Sequence, residues 1–183
     1  MIAVSALWLG ELAAQDVPVP IRLQYPILLK TLTFDRNLNA RSGENLVLGV
    51  LYQSTFRQSL DVKDELLAAA KELPTRSVAG LSIRLVEIDL AKTDDLEREI
   101  SETGVNTMYV TPLRSVAMKT ITAATRNKKV LTLTGVPQYV EAGLSIGVGI
   151  RGDRPSLIIN LKASRAEGAD LDSQLLELAR TIR

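Results

Sequence analysis

Leu46-Val47-Leu48-Gly49-Val50-Leu51-Tyr52 is an unbroken apolar run, set between the polar, glycine-containing stretch 35–45 (DRNLNARSGEN) and Gln53-Ser54-Thr55. A half-solvated strand would carry a polar residue at every second position, so a run without alternation is the pattern of a strand covered on both faces. Downstream, residues 53–73 turn helical: Ser54 or Thr55 can cap, and Phe56, Leu60, Leu67 and Ala70 fall on one side. Upstream, residues 21–34 (IRLQYPILLKTLTF) place Ile21, Leu23, Tyr25, Leu28, Leu29 and Leu32 in a partly helical pattern that Pro26 interrupts, which predicts a kinked helix.

The alternation repeats along the chain. Residues 81–88 (LSIRLVEI) read as a strand, and residues 94–102 as a short helix whose early acids Asp94, Asp95 and Glu97 suit the positive end of the helix dipole. Residues 105–110 form a third strand. Leu113, Val116, Ala117, Ile121 and Ala124 mark a helix ending in Arg126-Asn127-Lys128-Lys129. Residues 130–134 form a fourth strand, followed by a helical turn begun by Pro137. Strand and helix in rotation build βαβ units, whose right-handed crossovers set these four strands parallel.

The last third differs. Leu144, Ile146, Val148 and Ile150 alternate with Ser145, Gly147, Gly149 and Arg151, Gly152-Asp153-Arg154-Pro155 has turn chemistry, and residues 156–161 (SLIINL) return as a strand. This predicts an antiparallel hairpin added to the parallel sheet. Asn160 can cap a helix running to Glu167 and stopped by Gly168, and Leu175, Leu176, Leu178, Ala179 and Ile182 define a closing amphipathic helix. The expected fold is thus a three-layer α/β domain over residues 16–183, a mostly parallel sheet of βαβ units with a C-terminal hairpin and a closing helix.

Composition narrows the chemistry. The chain has 183 residues, 46% hydrophobic and 23% charged, which is globular composition and long enough to bury about 70% of its unfolded surface. Lysine plus arginine is 22 against 21 acids, so the positive field that nucleic-acid binding uses is absent. Cysteine and histidine are both absent, which removes disulfides, thiolate nucleophiles, the usual zinc sites and the commonest general base. Residues 1–10 (MIAVSALWLG) are apolar and lead through Glu11-Leu12-Ala13-Ala14-Gln15 into Asp16-Val17-Pro18-Val19-Pro20. This reads as a secretory signal over residues 1–15 that lacks its basic start, with maturation near Gln15 or Asp16. Ten apolar residues are too few for a bilayer that needs about 20, so the expected product is exported, without a membrane span.

No motif here carries catalysis. Gly143-Leu144-Ser145-Ile146-Gly147 matches G-x-S-x-G, but a nucleophile elbow sits between strand and helix, and the chain offers no histidine as base. Ser115 and Lys119 are expected to share a helix face without forming a Ser-Lys dyad. Gly143, Gly147 and Gly149 precede no helix, so they read as bulge or close-packing glycines rather than a phosphate loop. Asp94, Asp95, Glu97, Glu99 and Glu102 read as a solvated helix face, and Lys128-Lys129 as a helix-end charge pair. The expectation is no enzyme, no cofactor, no metal and no catalytic residue.

Residues 130–180 (VLTLTGVPQYVEAGLSIGVGIRGDRPSLIINLKASRAEGADLDSQLLELAR) resemble the YfiR/HmsC-like family of small periplasmic proteins. The likeness rests on the 130–134 strand, Gly143 opening the hairpin, Ile159-Asn160-Leu161 with the alanine-bearing helix after it, and Ser173 leading into Leu175-Leu176-Glu177-Leu178-Ala179; residues 28–52 match more weakly. The resemblance implies a periplasmic negative regulator that holds the sensor domain of a membrane diguanylate cyclase inactive, restraining cyclic-di-GMP synthesis and biofilm formation. It brings no catalytic residues. Family members often carry cysteine pairs, absent here, and Ala142-Gly143 stands where two glycines are common. The partner expected is thus a membrane-bound signalling protein, a diguanylate cyclase or a sensor kinase, with homodimerisation left open. The alternative is a periplasmic small-ligand binding module of a transport or sensor system, using the crevice at the carboxyl ends of the strands.

Overall fold

The structure is a computed structural model that describes residues 16–73 and 76–183, so the signal-like segment 1–15 lies outside the described residues. After α1 (Ile21–Leu32) and α2 (Leu38–Ser42), the chain runs β1 (Asn45–Tyr52), α3 (Arg57–Glu72), β2 (Ser77–Val78), β3 (Leu81–Asp89), α4 (Leu96–Thr103) and β4 (Thr107–Val110). It continues through α5 (Met118–Lys128), β5 (Leu131–Thr134), α6 (Pro137–Glu141), β6 (Ile146–Arg151), β7 (Arg154–Asn160), α7 (Leu161–Ala166), α8 (Ser173–Leu178) and β8 (Arg180–Ile182).

The described strands form one sheet in the order β2-β3-β1-β4-β5-β6-β7-β8. Strands β3, β1, β4, β5 and β6 run parallel, β7 turns antiparallel to β6, and β8 runs parallel to β7. The apolar run from Leu46 to Tyr52 lies within β1, paired on both sides and buried from Leu46 to Leu51. Its alternate residues feed different layers. Leu46, Leu48 and Val50 pack with α1, α3 and α8, through Leu28, Leu32, Leu66 and Leu175 among others. Val47 and Leu51 pack on the opposite face with Leu96 and Ile100 of α4, Ile121 of α5 and Tyr139 of α6. Three layers and a mixed sheet with a parallel centre are the architecture expected.

Several boundaries differ from expectation, each for a local reason. Neither Ser54 nor Thr55 caps α3: the Ser54 amide donates to Asp89 Oδ1 (3.0 Å), and the helix starts after Phe56. The buried stripe of α3 is Ser59, Val62, Leu66 and Ala69, whereas Leu60 and Leu67 are half-buried. Leu113, Val116 and Ala117 lie in the loop before α5, so Ser115 and Lys119 do not share a helix face; Ser115 stands at φ 57. The polar stretch 35–45 contains the five-residue α2, held by a buried ion pair between Arg41 and Asp35. The closing helix stops at Leu178, because residues 180–182 pair with β7 as a strand.

Candidate functional site

In parallel α/β sheets ligands sit at the carboxyl ends of the strands, where neighbouring connections leave in opposite directions. Here that point lies between β1 and β4, and the protein's own side chains fill it. The Gln53 amide donates to Ser59 Oγ (2.9 Å), Ser59 and Thr111 hydroxyls share a hydrogen bond (2.6 Å), and the Arg114 amide donates to Gln53 Oε1 (2.8 Å). Tyr139 Oη accepts from the Leu113 amide (2.8 Å) and donates to its carbonyl (3.2 Å). On β4 itself, Tyr109 Oη donates to Gln24 Oε1 (3.1 Å), and Gln24 Nε2 donates to the Val19 carbonyl (2.6 Å). Burial raises the Tyr109 phenol well above its ordinary range, which keeps it a neutral donor. A Cβ on Gly135 would come within 2.5–2.7 Å of the Gln24 amide and Tyr109 hydroxyl, so the absent side chain lets α1 reach the strand end. The crevice is a finished polar joint.

The G-x-S-x-G segment is also structural. Gly147 lies under α6, where a Cβ would meet Val140 Cγ2 at 2.5 Å, so this glycine is a close-packing one. The buried Ser145 hydroxyl donates to the Glu167 carboxyl, away from solvent. In the acidic stretch, Asp95 caps α4 by accepting from the Arg98 amide (3.0 Å), and Glu97 accepts from Asn127 Nδ2 (2.8 Å). No group of three or more metal-ligating carboxylates forms among the described residues. Lys129 takes a left-handed turn at the end of α5, and its ammonium donates to the Ala166 carbonyl (3.0 Å).

An apolar shelf lies at the far end of the hairpin. Leu178 is 74% exposed, Ile150 52% and Leu23 47%, the large exposed apolar side chains of the described residues. Ile150 pairs with Pro155, and Leu157 with Val148, which puts Ile150, Pro155 and Leu157 on the sheet face that α1 and α8 cover. Those helices do not extend over the tip. The result is a cleft of about 430 Å³ lined by Ile27, Leu157, Pro155, Leu178 and the arginines Arg151 and Arg154. Neither arginine joins an ion pair among the described residues. Gly152, at φ 59, takes the first central position of the two-residue turn that projects the pair. Sequence periodicity assigns Leu178 to the core and leaves the shelf unseen, because only the early end of α8 exposes it.

A model of the YfiR/HmsC-like family matches residues 27–180. The chain belongs to the YfiR/HmsC-like family. Among solved structures, this YfiR/HmsC-like chain is similar to an ABC domain in complex with L-Trp from Streptococcus pneumoniae (18% identity, TM-score 0.57, covering 90% of this chain and 60% of that one). It is also similar to a conserved domain protein from Vibrio cholerae (15% identity, TM-score 0.62, 90% and 60% covered). A third is a substrate binding protein with adhesive properties from Clostridium difficile, in its ligand-free, open structure (15% identity, TM-score 0.53, 80% and 57% covered). These likenesses show the α/β fold, and the YfiR/HmsC-like chain spans about 60% of the length of the proteins it matches. A comparison with curated proteins finds no match.

Proposed function

We propose that the chain is a non-enzymatic periplasmic regulator that docks the hairpin shelf onto the extracytoplasmic domain of a membrane signalling protein, a diguanylate cyclase, and restrains its cyclic-di-GMP output. Family membership supports a periplasmic regulator in general. No described helix is long and apolar enough to cross a membrane. The observation that carries the docking face is Leu178, 74% exposed in a cleft with Arg151 and Arg154, while Ile150, paired with the cleft residue Pro155, is 52% exposed on the same strand pair, in a protein whose other large apolar side chains are mostly buried. Apolar anchors rimmed by charge are the chemistry of a protein interface, and Arg151 and Arg154 select a partner segment that is apolar with an acidic flank.

The test is reconstitution of the membrane diguanylate cyclase of the same organism with the purified chain, reading cyclic-di-GMP synthesis and binding. Ile150→Asp and Leu178→Asp are each expected to weaken binding at least about tenfold and to relieve repression. Because both positions are exposed, their unfolding free energies should stay within about 0.5 kcal/mol of the parent. Full repression by the double variant, correctly folded, would remove the shelf from the mechanism.

A second reading, a small-ligand module, is favoured by the L-Trp complex among the structural neighbours. The closed crevice between β1 and β4 weighs against it. A rise in melting temperature in saturating L-tryptophan alone would favour that reading, since a docking protein gains stability only from its macromolecular partner.

A further inference from the structure

We propose that Glu167 is a proton-linked latch: its carboxyl, neutral in acid, holds the hairpin and α7 to the parallel sheet, and its ionisation as pH rises loosens that joint. Glu167 stands between the end of α7 and Gly168 and is fully buried. Its carboxyl accepts Thr125 Oγ1 from α5 (2.9 Å), the Thr132 amide from β5 (2.8 Å), Thr132 Oγ1 (3.1 and 3.0 Å) and the Ser145 hydroxyl at the entry to β6. The Ser145 amide donates in turn to Thr132 Oγ1 (2.8 Å). One carboxyl therefore joins α5, β5, β6 and α7.

The site has no countercharge. Of the cations on the elements packed around it, Arg126 gives Nη2 to the Gly143 carbonyl (3.2 Å) and Lys129 gives its ammonium to the Ala166 carbonyl (3.0 Å). Arg41 is committed to Asp35, and Lys119, Lys128, Lys162 and Arg165 are exposed. Among the acids, Glu141 pairs with Arg180 and Asp170 with Arg36, while β5 carries no charge and β6 only Arg151 at its far end. Glu167 forms no ion pair with any described residue.

Three hydroxyls surround the carboxyl, and a hydroxyl can donate or accept. The same heavy-atom frame thus serves a carboxylate taking every donor, or a carboxylic acid returning its proton to Ser145 or Thr132. Desolvation by burial favours the acid, and it outweighs the hydrogen bonds from Ser145, Thr132 and Thr125, leaving Glu167 above the usual glutamate range. Because the folded value lies above the unfolded one, the stabilisation is fully present below about pH 4.3 and is lost as pH climbs through the folded value.

The test is a ¹³C-NMR titration of the Glu167 carboxyl with urea unfolding from about pH 4 to pH 8. The carboxyl is expected to titrate above the ordinary glutamate value. Glu167→Gln, a permanently neutral mimic, should match the parent in acid and exceed it at the alkaline end by about tenfold in the folding equilibrium for each unit of displacement. Amide exchange in β6 and β7, corrected for intrinsic rate, should rise with pH in the parent and stay flat in the variant. Should Glu167→Gln not fold, Thr125→Val removes one donor and is expected to move the titration up by about one unit. A carboxyl midpoint near 4.3, or equal pH slopes in parent and variant, would overturn the latch. The titration is independent of the docking reading, and loss of one leaves the other standing.

Discussion

Arg41→Ala is expected to remove about 3–5 kcal/mol from the unfolding free energy, because it strands a charge that has no access to water. The Arg41 and Asp35 side chains are 6% and 0% exposed, joined through Nη2 at 2.8 Å and Nε at 3.3 Å. Asp35 also accepts the amides of Asn37 (3.0 Å) and Asp170 (2.9 Å), and Arg41 Nη1 donates to the Asn106 carbonyl (2.7 Å). The Asn106 side chain then takes the Val47 amide (3.1 Å) and gives to the Asn45 carbonyl (2.9 Å), so one ion pair ties α2 to the starts of β1 and β4 and to the loop before α8. Arg36→Ala is the control. Arg36 reaches Asp172 at 2.7 Å but is 57% exposed, and solvent screens such a pair, so its loss should be small beside that of Arg41→Ala. Urea midpoints at unchanged slope measure both. A loss below about 1 kcal/mol for Arg41→Ala would mean that water enters the joint and takes over the Asp35 charge.

Gly147→Ala is expected to cost about 2–3 kcal/mol, the upper part of the range for overpacking a filled site. The added carbon would stand 2.5 Å from Val140 Cγ2, a stiff β-branched side chain on a helix already seated on the strand. Gly149→Ala meets instead the flexible end of Ile158 at 3.0 Å, and should cost less than about 1 kcal/mol. Val140→Ala combined with Gly147→Ala should recover part of the loss, since the pair is in contact and couples. Additive losses in that double variant would mean that α6 is not what the glycine accommodates.

Elements made by continuous or strictly alternating hydrophobicity are legible in this chain. Strands β1, β3, β4 and β5, the hairpin, the Asn160 cap and the parallel order all follow from patterns that local sequence carries. Features made by distant pairing are not. Helix α2 has five residues and no side-chain cap, and its existence depends on Asp35 meeting Asp170, far along the chain. The donors to Glu167 lie 22 to 42 residues before it, so nothing near Glu167 marks it as interior. Its neighbour Gly168 does signal a helix stop, and its φ of 88 fits that role. The shelf escapes detection for the opposite reason. Leu178 continues the spacing of Leu175, yet α8 ends there and the chain swings away before anything covers it.

The swing has its own consequence. Residues Arg180–Ile182 dock along the free side of β7, pairing Ile158, Ile159 and Asn160 with 180, 181 and 182. Three modest residues thereby act as a selvedge, covering part of a border that would otherwise present a longer template to any extended peptide. Removing these three residues would therefore re-expose the edge of β7 from Ile158 to Asn160, although their side chains contribute little to the interior.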